Sequence, residues 1–198
     1  MANDGDNEAV ERWARLITER RHASVFARKT PEDKRVVERA TAGEWAESVA
    51  AEFGIQIDRL WQPDADPPDI IVEIAGQELS LELVELVDER RLRDGSASKV
   101  TRRPQPSPRQ KFEFALWGDQ RLRTELGALL DRKQSRYRQG EAFDILVVHT
   151  DEPWLRAHDV RHWLSRGPFA KRSCFRSAYL LLTYDPNEGP HWPVFRLY

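Results

Sequence analysis

Hydrophobic and polar positions alternate along two adjacent stretches between Pro67 and Val87, which read PPDIIVEIAGQELSLELVELV. The two runs flank Ala75-Gly76, a two-residue turn, and together predict a β-hairpin. Folding the chain there brings Asp69 opposite Glu82. Side chains alternate between the faces of a strand, so parity sorts the rest. Ile70, Val72, Ile74, Leu79, Leu81 and Leu83 form an uninterrupted apolar face. Asp69, Ile71, Glu73, Ser80, Glu82 and Val84 form the other. Glu85 shares the leucine parity, which puts it at the strand end, at a bulge, or buried with a partner.

Elsewhere the apolar positions recur every three or four residues. Val10, Trp13, Leu16 and Ile17 predict an amphipathic helix over Asn7 to Arg21, followed by a connector from His22 to Lys29. Thr30-Pro31-Glu32-Asp33 reads as a helix start, with a hydroxyl cap, proline at the first helical position and acids in the first turn. That helix continues to Phe53 with Ala46 and Ala50 beside an apolar stripe of Trp45, Val49 and Phe53; Gly43 is where a break would fall. Gly54 is its stop. Ile55 to Trp61 predicts a short strand, and Gln62 to Pro68 a turn. Leu122, Leu126, Leu129, Leu130 and Lys133 predict a helix over Arg121 to Tyr137. Phe143 to His149 is continuously apolar, as suits a central strand covered on both sides. A further helix is expected over Pro153 to Arg166, a buried strand over Ala178 to Tyr184, a turn over Asp185 to Pro190, and a last strand over Val194 to Tyr198. Helix, three strands, helix, strand, helix, strand is the order of an α/β domain with a mixed sheet. The division expected is a helical extension over residues 1–40 and an α/β domain over 41–198.

At 198 residues the chain is long enough for one domain with a sizeable core. A formal net charge of −2 names no partner. The charge is uneven, however. Asp88 to Lys111, DERRLRDGSASKVTRRPQPSPRQK, has no period and almost no large apolar residue, which predicts a long mobile loop. Arg90, Arg91, Arg93, Arg102 and Arg103 within it suit contacts to the phosphates of a nucleic acid; a solvated loop is the alternative. Cys174 stands alone, which excludes an intramolecular disulfide and a cysteine-based zinc site. The first residues lack the pattern of a secretory signal, and no apolar run reaches membrane-spanning length, so a cytoplasmic setting is expected.

The polar hairpin face carries the candidate chemistry. Asp69 and Glu82 are like charges side by side, which is unfavourable unless something lies between them. Mg²⁺ or Mn²⁺ would relieve the repulsion, and such an ion can activate water and stabilise charge on a phosphodiester. Glu47 or Glu44 is offered from the preceding helix. Simple exposure of both carboxylates is the alternative, but Ile71 and Val84 share their face, and a carboxylate among apolar neighbours needs a partner. Other constellations carry less. His158 and His162 are four apart on a predicted helix, but the zinc-protease pattern fails at Asp159. Ser80 and Cys174 lack a catalytic setting. No glycine-rich phosphate loop is present. Trp117 and Trp192 are the two tryptophans not absorbed by apolar stripes, and are candidates for base stacking.

The arrangement resembles the PD-(D/E)xK nuclease superfamily, which includes restriction endonucleases and Holliday-junction resolvases. The residues that carry the resemblance are Pro68-Asp69, opening one strand, and Glu82-Leu83-Val84 on the next. Glu47-Ser48-Val49-Ala50 is similar to the helical acid-x-x-Ala pattern of the resolvase branch, which favours Glu47 over Glu44. The resemblance covers about Gly43 to His149. It implies a restriction-endonuclease-like core and a metal-dependent nuclease acting on DNA. Asp69 and Glu82 would be the metal ligands, with Glu47 assisting. The superfamily's lysine falls at Val84 here, so the resemblance implies a substitute, and Lys133 on the later helix is the candidate. Gln134 could serve in a similar polar role, and Lys99 and Lys111 are weaker candidates. Without a substitute, the chain would be a catalytically inactive nucleic-acid- or protein-binding module of the same fold. The N-terminal helix is a candidate lid or dimer element, so a homodimer falls within the expectation.

Overall fold

The computed structural model describes residues 31–65, 67–87, 117–137, 140–152 and 154–198. The predicted helix over Asn7 to Arg21 and the Arg-rich stretch with Arg90, Arg91, Arg93, Arg102 and Arg103 lie outside the described residues.

The described chain is α/β, with three helices and one six-stranded mixed sheet. Helix α1 spans Pro31–Phe53, followed by strands β1 (Arg59–Trp61), β2 (Ile70–Ile74) and β3 (Gln77–Glu85). Helix α2 (Asp119–Ser135) leads to β4 (Phe143–His149), and α3 (Ala157–Leu164) leads to β5 (Phe175–Leu181) and β6 (Val194–Arg196). The strands lie in the sheet in sequence order. β3, β4 and β5 run parallel, and the other neighbours are antiparallel. Parallel neighbours need crossovers, and α2 and α3 supply them.

The hairpin register follows from the alternation of its side chains. Ile70 pairs with Leu81, Val72 with Leu79 and Ile74 with Gln77. The turn places both Ala75 (φ 51°) and Gly76 (φ 75°) at positive φ, as a type I′ turn requires.

Two apolar layers sandwich the sheet. Trp45 and Val49 of α1 pack on Ile70, Val72, Leu81 and Val147. On the reverse face, Leu122, Leu126 and Leu130 of α2 and Val160 of α3 pack on Leu146, Val148 and Leu180. β4 lies between both layers, and residues 145 to 149 are all buried. The hairpin's second face is partly covered, as the sequence suggests: Lys133 of α2 reaches the buried Glu82, while Ile71, Glu73, Ser80 and Val84 are half-buried.

Several boundaries differ from expectation. α1 runs unbroken through Gly43. Gly54, at φ 67°, ends it, with its N–H bonded to Ala50 O. Phe53 is 39% exposed, so the stripe stops at Val49. Ile55 and Ile57 pack on the α1-side core without strand pairing, because pairing with β2 begins only at Arg59. α3 is shorter than the periodicity suggests, and β5 begins and ends three residues earlier than predicted. Trp117 and Trp192 are buried, at 9% and 5% exposure, which removes both as base-stacking surfaces. Arg121 lies over the Trp117 ring. No helix among the described residues is long and apolar enough to cross a membrane.

Candidate functional site

The candidate site sits where β2 begins and β3 ends. β2 is antiparallel to β3, so its first residue lies beside the carboxyl end of the parallel strands. That end of an α/β sheet is where ligands usually bind. Extending the Ile70–Leu81 register by one step brings Asp69 beside Glu82.

Asp69 precedes the first residue of β2, and its side chain continues the ladder that its backbone does not. Its Oδ2 accepts the Leu83 N–H at 2.9 Å. Its Oδ1 lies 3.6 Å from the Lys34 ammonium. The same ammonium lies 3.2 Å from Glu38 Oε1. Glu38 and Asp69 also share a side-chain hydrogen bond. Burial, and then the charge of Asp69, push the Glu38 carboxyl up from 4.5 to about 7, against the opposing pull of Lys34. A cleft of about 180 Å³ opens onto this group, lined by Lys34, Arg35, Glu38 and Asp69.

Glu82 is 2% exposed. It points from β3 toward the layer that α2 covers. The Lys133 ammonium contacts its Oε2 at 2.6 Å and also donates to Leu83 O at 3.2 Å. The Tyr137 hydroxyl donates to the same Oε2. Burial first, and then the Glu82 and Asp69 carboxylates, push the Tyr137 hydroxyl's pKa upward, so it remains a donor. Glu82 Oε1 is buried and has no hydrogen-bond partner among the described residues. An unsatisfied carboxylate oxygen costs at least about 1–3 kcal/mol of desolvation, and more when charged.

The structure therefore brings Asp69, Glu82 and Lys133 to one end of the hairpin. It does not bring Glu47 there. Glu47 is exposed on α1. It lies nine residues beyond Glu38, roughly 13 Å along the helix axis. The helical acid against Asp69 is Glu38. Its signal in the sequence is its place one heptad ahead of Trp45, on the buried stripe of α1. Glu44 is buried within α1. Tyr137 was also missed, although it lies four residues after Lys133. Gln134 is turned away, with its Oε1 accepting the Ser173 N–H. Glu85 ends β3, half-buried, in register with His149. His158 is 85% exposed and pairs with Asp159, so it is a surface residue. Cys174 is buried, and burial raises its thiol's pKa, which leaves it a poor nucleophile.

No group of three or more His, Cys, Asp or Glu side chains among the described residues is placed to hold a metal ion. Mg²⁺, however, commonly binds through one or two carboxylates and keeps several waters. At this end of the hairpin Asp69 and Glu82 offer two carboxylates, and Glu82 Oε1 has no hydrogen-bond partner among the described residues. Comparison of the chain with protein-family models, with curated proteins and with solved structures found no match.

Proposed function

We propose that this chain is a metal-dependent phosphodiesterase with a restriction-endonuclease-like core, acting on DNA. The observation that carries the reading is the Glu82 carboxylate. One oxygen is held by Lys133 and Tyr137, the other is buried without a hydrogen-bond partner among the described residues, and Asp69 is next in the hairpin register. The order of helix, three-strand meander, helix and strand also supports it.

In this reading Asp69 and Glu82 would hold Mg²⁺ or Mn²⁺, and the ion would supply an acidified water and offset charge on the phosphate. Tyr137 fixes the rotamer of Glu82. Lys133 has three N–H donors, of which Glu82 and Leu83 O use two. The third is available to a water or a non-bridging phosphate oxygen, the role the superfamily assigns to the lysine that Val84 replaces here. Glu38, with a carboxyl near neutrality, is a candidate proton acceptor, in place of Glu47. Lys34 and Arg35 at the mouth of the cleft suit the phosphate backbone. Arg90, Arg91, Arg93, Arg102 and Arg103 are proposed as further backbone contacts.

The test is cleavage of plasmid and branched DNA by purified protein with Mg²⁺ or Mn²⁺, beside an Asp69→Ala/Glu82→Ala variant. Metal-dependent cleavage that disappears in the variant is expected. Cleavage that survives in it overturns the site assignment. The second reading is an inactive binding module of the same fold, favoured by the direct ion pair that already occupies Glu82 Oε2. Calorimetry separates the two, because the module predicts no heat from millimolar Mg²⁺ or Mn²⁺.

A further inference from the structure

A second cleft, of about 620 Å³, opens at the opposite end of the sheet, where the β2–β3 turn meets the start of β4 and β5. Its volume lies within the ~300–1,000 Å³ range of small-molecule sites. Asp69 and Glu82 are each five residues along their strands from the cleft residues Ile74 and Gln77, roughly 16 Å at ~3.3 Å per residue. The cleft is thus separate from the candidate phosphodiesterase site, and nothing about it depends on that reading.

Two features of its lining are complementary. Its floor is apolar and aromatic, built from Trp45, Leu79, Ile145 and Tyr179. Trp45 is 1% exposed, and its indole N–H has no hydrogen-bond partner among the described residues. The rim carries three cations, Lys171, Arg176 and Arg196. The side chains of Lys171 and Arg176 have no hydrogen-bond or ion-pair partner among the described residues. Among the described residues, Arg196 bonds only the backbone oxygen of Tyr198. The one acid in the lining, Asp144, is committed elsewhere: its Oδ2 accepts both the N–H and the hydroxyl of Ser80 at 3.0 Å.

We propose that this cleft binds a small phosphate monoester carrying a flat apolar body, of the nucleoside monophosphate class. The guanidinium groups of Arg176 and Arg196 offer paired donors of the kind that recognise phosphate bidentately. Lys171 adds a point charge, so the rim balances a dianion better than a single carboxylate. The Trp45–Tyr179 floor takes the planar body. Ser177 and Gln77 supply hydroxyl and amide groups between floor and rim.

Isothermal titration calorimetry with adenosine monophosphate tests this, against adenosine, inorganic phosphate and 2-naphthoate as separate arms. Saturable binding of the monophosphate, at least about tenfold tighter than any of the three, is expected. Lys171→Glu/Arg176→Glu should weaken it by at least about tenfold. Arg176→Ala, a milder change at an exposed side chain, should weaken it by roughly threefold. Asp69→Asn should leave it unchanged, which separates this cleft from the candidate metal site. No saturable heat up to about 10 mM monophosphate, or equal affinity for any of the three fragments, overturns the proposal. So does affinity that is unchanged in both rim variants, or lost in Asp69→Asn.

Discussion

Replacing Glu38 with glutamine isolates the carboxyl cluster at the mouth of the candidate site. Glu38 is buried against Asp69, and its carboxyl is pushed from 4.5 to about 7. Its side chain is 8% exposed, so solvent screens it little. At ~1.4 kcal/mol per pH unit, the shift sets a ceiling of about 3 kcal/mol. Lys34 opposes the shift, so about 2 kcal/mol is expected. The sign follows from proton counts. Between about pH 4.5 and pH 7 the folded chain keeps a proton on Glu38 that the unfolded chain has released. Stability is therefore fully present below the lower value and falls as pH rises through the upper one. Glu38→Gln keeps the shape and a donor toward Asp69 but cannot ionise. Urea unfolding in metal-chelated buffers, from about pH 4.5 to 7.5, should show a falling wild-type curve and a flatter variant curve. The two should be similar at the acid end, with the variant about 2 kcal/mol more stable at the neutral end. Parallel curves across the window would refute the reasoning.

Lys133→Met should cost about 3–5 kcal/mol, because it leaves the Glu82 carboxylate buried beside a thioether. Adding Glu82→Met should recover most of that, and denaturant melts of the full double-mutant cycle read the coupling. Tyr137→Phe removes the hydroxyl bound to Glu82 Oε2 and should cost about 1–2 kcal/mol, seen as a fall in Tm of a few degrees. Leu130→Ala, at a fully buried position of α2, should cost about 2–5 kcal/mol in the same melts. Ala75→Asn should stabilise by about 0.5–1 kcal/mol, because Ala75 holds a left-handed backbone (φ 51°) that asparagine adopts more readily. A lower Tm for that variant would contradict the turn geometry.

The parts of the fold legible in the sequence were those with strong local periodicity. The hairpin was readable because its alternation and its Ala75-Gly76 turn specify the same register. α2 was readable from leucines spaced by three and four. The strand at Ile55 and Ile57 was misread because half-buried isoleucines mimic a strand's alternation without pairing. Phe53 continued a stripe numerically, but the helix end turned it outward. In the site, Asp69, Glu82 and Lys133 could be named from the sequence because each follows a local pattern. The pattern Glu47-Ser48-Val49-Ala50 pointed to Glu47, but nine residues carry Glu47 half a turn round α1 from Glu38, which lies on the buried stripe while Glu47 is exposed. Tyr137 lies just beyond the end of α2, where helical periodicity no longer says where a side chain points.

The sequence alone determined that this chain is α/β, that Asp69 and Glu82 share one end of a hairpin, and that a lysine follows on a helix facing the sheet. Those properties come from side-chain parity, turn chemistry and helical spacing, which are local. The tertiary structure decided how each charge is satisfied. It buried Glu82 under α2, gave Lys133 and Tyr137 to one of its oxygens, and left the other without a hydrogen-bond partner among the described residues. It chose Glu38 as the neighbour of Asp69. It also gathered Lys171, Arg176 and Arg196 around an aromatic floor, although they lie on separate segments of the chain. Burial and through-space charge depend on which elements pack together, and no local pattern encodes that.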